Sequence, residues 1–158
     1  MTVSGSNLFA VTNSGDVFLT INDGQSWMAA SNGLVGQNVN TLVASGSNLF
    51  AGTTNEGVFL STNNGISWMA INNGLSSKTI VSLAISGNNI FAGTIGGGVF
   101  LSTNGGASWV AVNNGLTQQV VRTMIANGGN LFCGTGGGGV DGGLGTRREA
   151  GDAALMWN

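Results

Sequence analysis

The sequence predicts an all-β chain folded as a β-propeller of four-stranded antiparallel blades, about three blades to the chain, with the ring completed by oligomerisation. Three observations predict it. The first is a phrase that occurs three times, as Thr20 to Trp27, Ser61 to Trp68 and Ser102 to Trp109, so that the tryptophans recur every 41 residues. Phe9, Phe50, Phe91 and Phe132 keep the same step, and a period of this length marks radial or stacked β units. The second is the content of each period, which reads as four short β-branched or aromatic runs broken by Gly, Asn and Ser, with no helical spacing across them. The third is the balance of apolar and charged residues, 42% hydrophobic against 6% charged. Both faces of so apolar a meander need cover, and neighbouring copies must supply it.

In the second copy the strands are predicted at Val39 to Ser45, Asn48 to Thr53, Gly57 to Thr62 and Ser67 to Asn72. Ser45-Gly46-Ser47-Asn48 and Asn63-Asn64-Gly65 carry the Asn and Gly that tight turns need for positive φ, which makes each unit an antiparallel meander. Trp27, Trp68 and Trp109, with Phe18, Phe59 and Phe100, are expected to fill the wedges between blades. A β-solenoid is the competing architecture, but its coils are usually shorter than this repeat and use fewer hairpins. The first copy is expected to start at a second strand, Asn7 to Thr12, while Val120 to Ala126 offers a spare first strand. Three blades leave open sheet edges. Two chains are therefore expected to close a six-bladed ring, each lending Val120 to Ala126 to the other's first blade.

The repeats run over residues 1–140. Val140 is in phase with Val58 and Val99, but Asp141-Gly142-Gly143 follows where Phe-Leu-Ser is due, and no tryptophan stands at position 150. Residues 141–158 form a Gly-rich tail with two readings. Thr146-Arg147-Arg148-Glu149 has the form of a capping box that would start a short helix over Ala150 to Trp157, or the tail is disordered.

Charge excludes some partners. The formal net charge is −2, with no basic stripe to displace counterions from nucleic acid. No apolar run approaches the length of a membrane-spanning helix. The single cysteine, Cys133, follows the recurring Phe where earlier copies have Ala, which reads as a small buried hydrophobe. No signal-peptide pattern opens the sequence. Gly96-Gly97-Gly98 and Gly136 to Gly139 join strand to strand and open no helix, so they are not phosphate-cradling loops.

Thr20-Ile21-Asn22-Asp23-Gly24-Gln25-Ser26-Trp27 and its two repeats resemble the Asp-box, or bacterial neuraminidase repeat, Ser/Thr-x-Asp-x-Gly-x-Thr-Trp. The resemblance covers residues 1 to about 140 and implies a β-propeller. Families that share the repeat include sialidases, sortilin-type receptors, xyloglucanases, photosystem assembly factors and lectins, many of them extracellular or periplasmic. It also implies that Asn22, Gly24, Trp27, Asn63, Gly65, Trp68, Asn104, Gly106 and Trp109 are structural, forming a rim turn between third and fourth strands on the face opposite the usual ligand mouth. The chain departs from the pattern in having Asn22, Asn63 and Asn104 for Asp, and Ser26, Ser67 and Ser108 for Thr. Asn can still close the turn through its side chain.

With no histidine and no tyrosine, the chain cannot build a Ser-His-Asp triad, a histidine metal site or a sialidase nucleophile. Before residue 141 the acids are Asp16, Asp23 and Glu56, and the expectation is a protein without enzymatic activity, metal or cofactor. Binding is the remaining class. Ligands of propellers usually meet the loops between second and third strands and between blades, and these loops vary between copies: Asp16, Asn55 and Glu56 in the first kind, Gln37, Lys78 and Gln119 in the second, with Arg122 near the start of an innermost strand. Their amide and charged groups suit sugar hydroxyls or a protein surface. A structural scaffold, designed or excised, is the alternative, and a fragment of a polysaccharide-active glycoside hydrolase is a further one. The expected partner is the chain itself, as a homo-oligomer with a dimer favoured.

Overall fold

The computed structural model describes residues 1–34, 36–127 and 130–136, together with the backbone of 153–157. The described residues form strands joined by turns. β1 (Thr2–Ser4), β2 (Asn7–Val11), β3 (Val17–Thr20) and β4 (Met28–Ala29) make the first sheet, in that order. β5 (Val39–Ser45), β6 (Asn48–Thr53), β7 (Val58–Ser61) and β8 (Met69–Ala70) make the second. β9 (Ile80–Ser86), β10 (Asn89–Thr94), β11 (Val99–Ser102) and β12 (Val110–Ala111) make the third. A fourth sheet has three strands, β13 (Val121–Asn127), β14 (Asn130–Thr135) and β15 (Ala153–Trp157). Each sheet is an antiparallel meander with equivalent pairs in register, Phe9↔Leu19, Phe50↔Leu60 and Phe91↔Leu101.

The innermost strands lie against one another in succession, β1 with β5, β5 with β9 and β9 with β13. Between β1 and β13 the described residues make no comparable contact. The core is accordingly a row of three apolar layers, one at each junction. Phe9, Leu34, Leu49 and Trp68 belong to the first, Phe50, Ile80, Phe100 and Trp109 to the second, and Phe91, Val121, Met124 and Cys133 to the third. Phe9, Phe50 and Phe91 are at most 1% exposed, each worth about 1.5–3 kcal/mol of burial. Cys133 packs in the apolar layer as a small hydrophobe.

Three expectations are corrected. The first sheet has its own first strand, β1, paired Thr2↔Phe9 to Ser4↔Asn7. The turn at Gly5 lets Thr2–Ser4 fold back on β2, although this strand spans 3 residues against 7 in β5, β9 and β13. The segment expected as a spare first strand, Val120 to Ala126, is β13 (Val121–Asn127) and pairs within its own chain with β14, the strand that follows it. Ala153–Trp157 is a strand on β14 rather than part of a helix. An eight-residue helix is marginal by itself, whereas the free edge of β14 offers a ladder of backbone partners. The Thr146–Glu149 capping box lies outside the described residues.

Candidate functional site

The loops between second and third strands and the connections between blades share one face, where backbone hydrogen bonds interlock them. Thr54 N–H donates to Asn38 O at 3.0 Å and Gly57 N–H to Lys78 O at 3.0 Å, so the second sheet's loop is tied to the connection before it and the connection after it. In the third sheet Ile95 N–H reaches Thr79 O, and the amides of Gly96 and Gly98 both reach Gln119 O, each at 3.0 Å. Gly15 lies so close to Asn38 that a Cβ there would stand 2.6 Å from Asn38 Cα. Six of the seven candidate residues therefore fall on connected loops, and the seventh, Arg122, near the start of β13. Asp16, Asn55, Glu56, Lys78, Gln119 and Arg122 are exposed and Gln37 is half-buried. Asp16 also serves its own turn, since Ser14 Oγ donates to its Oδ2 at 2.7 Å.

Arg122 sits at a feature that the sequence did not announce. In each long first strand the ladder skips one residue. Val39 pairs with Thr53 and Thr41 with Gly52, Ile80 with Thr94 and Ser82 with Gly93, Val121 with Thr135 and Thr123 with Gly134. Asn40, Val81 and Arg122 are thus equivalent β-bulge residues, and a bulge re-aims the side chain it carries. Asn40 Nδ2 donates to Ile80 O at 2.9 Å, joining neighbouring blades. The Arg122 guanidinium lies against Gly136.

Asn72 and Asn113 are further positioning residues that sequence reasoning missed. Val58 N–H donates to Asn72 Oδ1 at 2.7 Å, and Asn72 Nδ2 donates to Glu56 O at 2.7 Å. Asn113 repeats the clamp with Val99 N–H at 2.7 Å and Gly97 O at 2.9 Å. In the first sheet Ser31 Oγ takes the place, accepting from Val17 N–H at 2.8 Å. The available signal was the in-phase polar residue opening Ser31-Asn32-Gly33-Leu34, Asn72-Asn73-Gly74-Leu75 and Asn113-Asn114-Gly115-Leu116. Beside this face a cleft of about 600 Å³ opens between β2 and β5, lined by Met1, Val11 to Asn13 and Val39 to Leu42. It lies where β1 stops short of the level that Val39–Thr41 reach in the next sheet.

The Trp-containing turns are built alike at the other end of the third strands. Ser61 Oγ accepts from Gly65 N–H at 2.9 Å and donates to Asn63 Oδ1 at 2.9 Å. Asn63 Oδ1 accepts from Ser67 N–H at 3.0 Å while its Nδ2 donates to Ser67 Oγ at 2.9 Å. Asn22 with Ser26, and Asn104 with Ser108, repeat both bonds. Asp23 and Asn64 hold φ of 56° and 55°, a conformation that Asp and Asn tolerate better than most side chains. The indoles then reach across the seam, Trp68 Nε1–H to Ala30 O at 2.8 Å and Trp109 Nε1–H to Ile71 O at 2.7 Å.

Repeated four-stranded blades, stacked by their innermost strands and carrying a polar loop face, define a β-propeller repeat protein. An ancestral GH74 enzyme is similar over 83% of this chain and 20% of its own, with 25% identity and a TM-score of 0.64. YCF48 bound to a D1 peptide is similar over 84% and 44% of the two chains, with 17% identity and a TM-score of 0.60. The computationally designed Ika4 protein is similar over 85% and 82%, with 11% identity and a TM-score of 0.65. The chain thus spans about a fifth and under half of the first two. No protein-family model and no curated protein sequence matches it.

Proposed function

We propose that the chain is a non-catalytic propeller module of the Asp-box kind, which closes a ring with copies of itself and binds a glycan or a protein segment through its loop face. The turn chemistry supports the Asp-box reading: Asn22, Asn63 and Asn104 make the side-chain-to-backbone closure for which the pattern uses Asp. The observation that carries the binding reading is the interlocked loop face. Its backbone is tied on both sides, while Asn55, Glu56, Lys78 and Gln119 stand exposed on it, and polar groups held on a fixed frame lose little freedom on meeting a ligand. Binding without turnover suits a chain with no histidine and no tyrosine.

The test is glycan-array and peptide-library binding on the intact assembly, followed by titration of the best ligand. Replacing Asn55 and Glu56 together by Ala is expected to weaken binding about tenfold or more, as loss of one or two charge-assisted hydrogen bonds implies. Absence of any ligand in both screens favours the scaffold. A second reading, a piece of a polysaccharide-active enzyme, is favoured by the likeness to the ancestral GH74 enzyme. Release of reducing ends from a neutral polysaccharide by this chain would replace the non-catalytic reading.

A further inference from the structure

Two of the three blade seams inside the chain, the first and the second, are made from the same two halves. On one side stands the recurring Phe with a residue just past the fourth strand; on the other stands the Gly of the Trp-containing turn. A Cβ added at Gly65 would lie 3.3 Å from Phe9 Cε1 and 3.1 Å from Ala30 Cβ, and one added at Gly106 would meet Ile71 and, at 3.7 Å, Phe50 Cε1. The rings seat there because the turn carries no side chain. The indole of the same turn closes the seam by its hydrogen bond to the Ala30 or Ile71 carbonyl.

The glycine turn occurs once more with no ring described on it, and beyond Phe91, which is buried in the third seam, the Phe occurs once more in the open. The first turn keeps Gly24 and Trp27, but among the described residues a Cβ at Gly24 would meet only Trp27 itself, at 3.9 Å. Trp27 is 40% exposed, against 7% and 3% for Trp68 and Trp109. In the fourth sheet Phe132 is 37% exposed, where its equivalents are at most 1%, and Ile125 near it is 65% exposed. One side has the ring without the glycine turn; the other has the glycine turn without the ring.

We propose that these halves complete one another between copies, with Phe132 of one copy seated on the Gly24–Trp27 turn of the next, head to tail. This rests on the reading that copies assemble, and specifies how. A second copy is the fitting occupant because every chain presents an exposed Phe132 and an exposed Gly24–Trp27 turn on opposite end sheets, and because the match of Phe with glycine turn is already made twice within the chain. The contact is heterologous, and its repetition gives a ring when the rotation between copies divides a full turn. A two-fold pairing of Trp27 with Trp27 would leave both Phe132 rings in water. The Trp27 N–H also needs an acceptor once buried, and a carbonyl across the seam supplies it for the other two indoles.

Two variants of the full chain test it by sedimentation velocity, Trp27→Glu and Phe132→Glu. Both side chains are partly exposed in the single chain, so each variant is expected to keep its fold by circular dichroism and to sediment as one chain. Mixed in equal amounts they are expected to form a two-chain species and nothing larger, bound more weakly than the wild type, because a mixed pair retains one intact seam and presents only substituted halves beyond it. If Phe132→Glu assembles like wild type while Trp27→Glu does not, or if the mixture stays monomeric, head-to-tail seating is overturned. A wild type that sediments at 15.8 kDa removes the assembly reading itself, before any variant is made. Should either variant unfold, amide exchange on the wild type decides: Gly24–Trp27 and Leu131–Cys133 are expected to lose protection together on dilution, and loss at only one of them overturns the proposal.

Discussion

At the scale of single residues, the turn hydroxyl matters more than its size suggests. Ser61 is 1% exposed and accepts the Gly65 amide at 2.9 Å. Ser61→Ala strips that buried N–H of its partner, and a loss of about 1–3 kcal/mol is expected, read as a lower urea midpoint at unchanged slope. Ser61→Thr is expected to stay near wild type, since Thr20 Oγ1 does the same work for Gly24 at 3.0 Å. An unchanged midpoint in the Ala variant would mean that water replaces the hydroxyl. This turn was legible in the sequence because its chemistry is local: Asn, Gly and Ser a few residues apart fix their own geometry. The difference between Trp27 and Trp68 was not legible. Their flanking residues are nearly the same, and what separates an exposed indole from a buried one is the sheet in front of it.

Among the elements, the second-to-third-strand loops depend on residues well removed in sequence. Asn72 holds both edges of the loop through Val58 N–H and Glu56 O. Asn72→Ala is expected to speed amide exchange at Glu56 to Val58 about tenfold, the kinetic image of losing roughly one hydrogen bond's worth of local stability, while the Asn113-clamped loop keeps its rate. Equal acceleration in both loops would point to global loosening instead. The period of 41 residues located the strands and loops of the second copy, though Ser67 to Asn72 is shortened to β8, and it missed β1. It did not show the bulges at Asn40, Val81 and Arg122, since a skipped ladder position leaves the alternation of side chains around it unmarked. The tail was misjudged for a related reason. The residues by themselves suggested a helix or disorder for the tail, and only the open edge of β14 makes Ala153–Trp157 a strand.

Over the whole molecule, cover is supplied by neighbours, so stability is distributed like that of a repeat array, in terms belonging to sheets and to the seams between them. The β5–β8 and β9–β12 sheets each have a sheet on both sides; among the described residues the β1–β4 sheet has one on a single side, and Trp27 is the exposed indole there. In the monomeric Trp27→Glu chain, amides of β6 and β10 are therefore expected to exchange most slowly and those of β2 faster, although Phe9, Phe50 and Phe91 occupy equivalent positions. In the assembled wild type the gap should narrow, because the seam that shields Trp27 also shields the strands behind it. If β2 is already as protected as β6 in the monomer, a blade in this chain needs cover on one side only, and exposed aromatic end faces would no longer drive copies together.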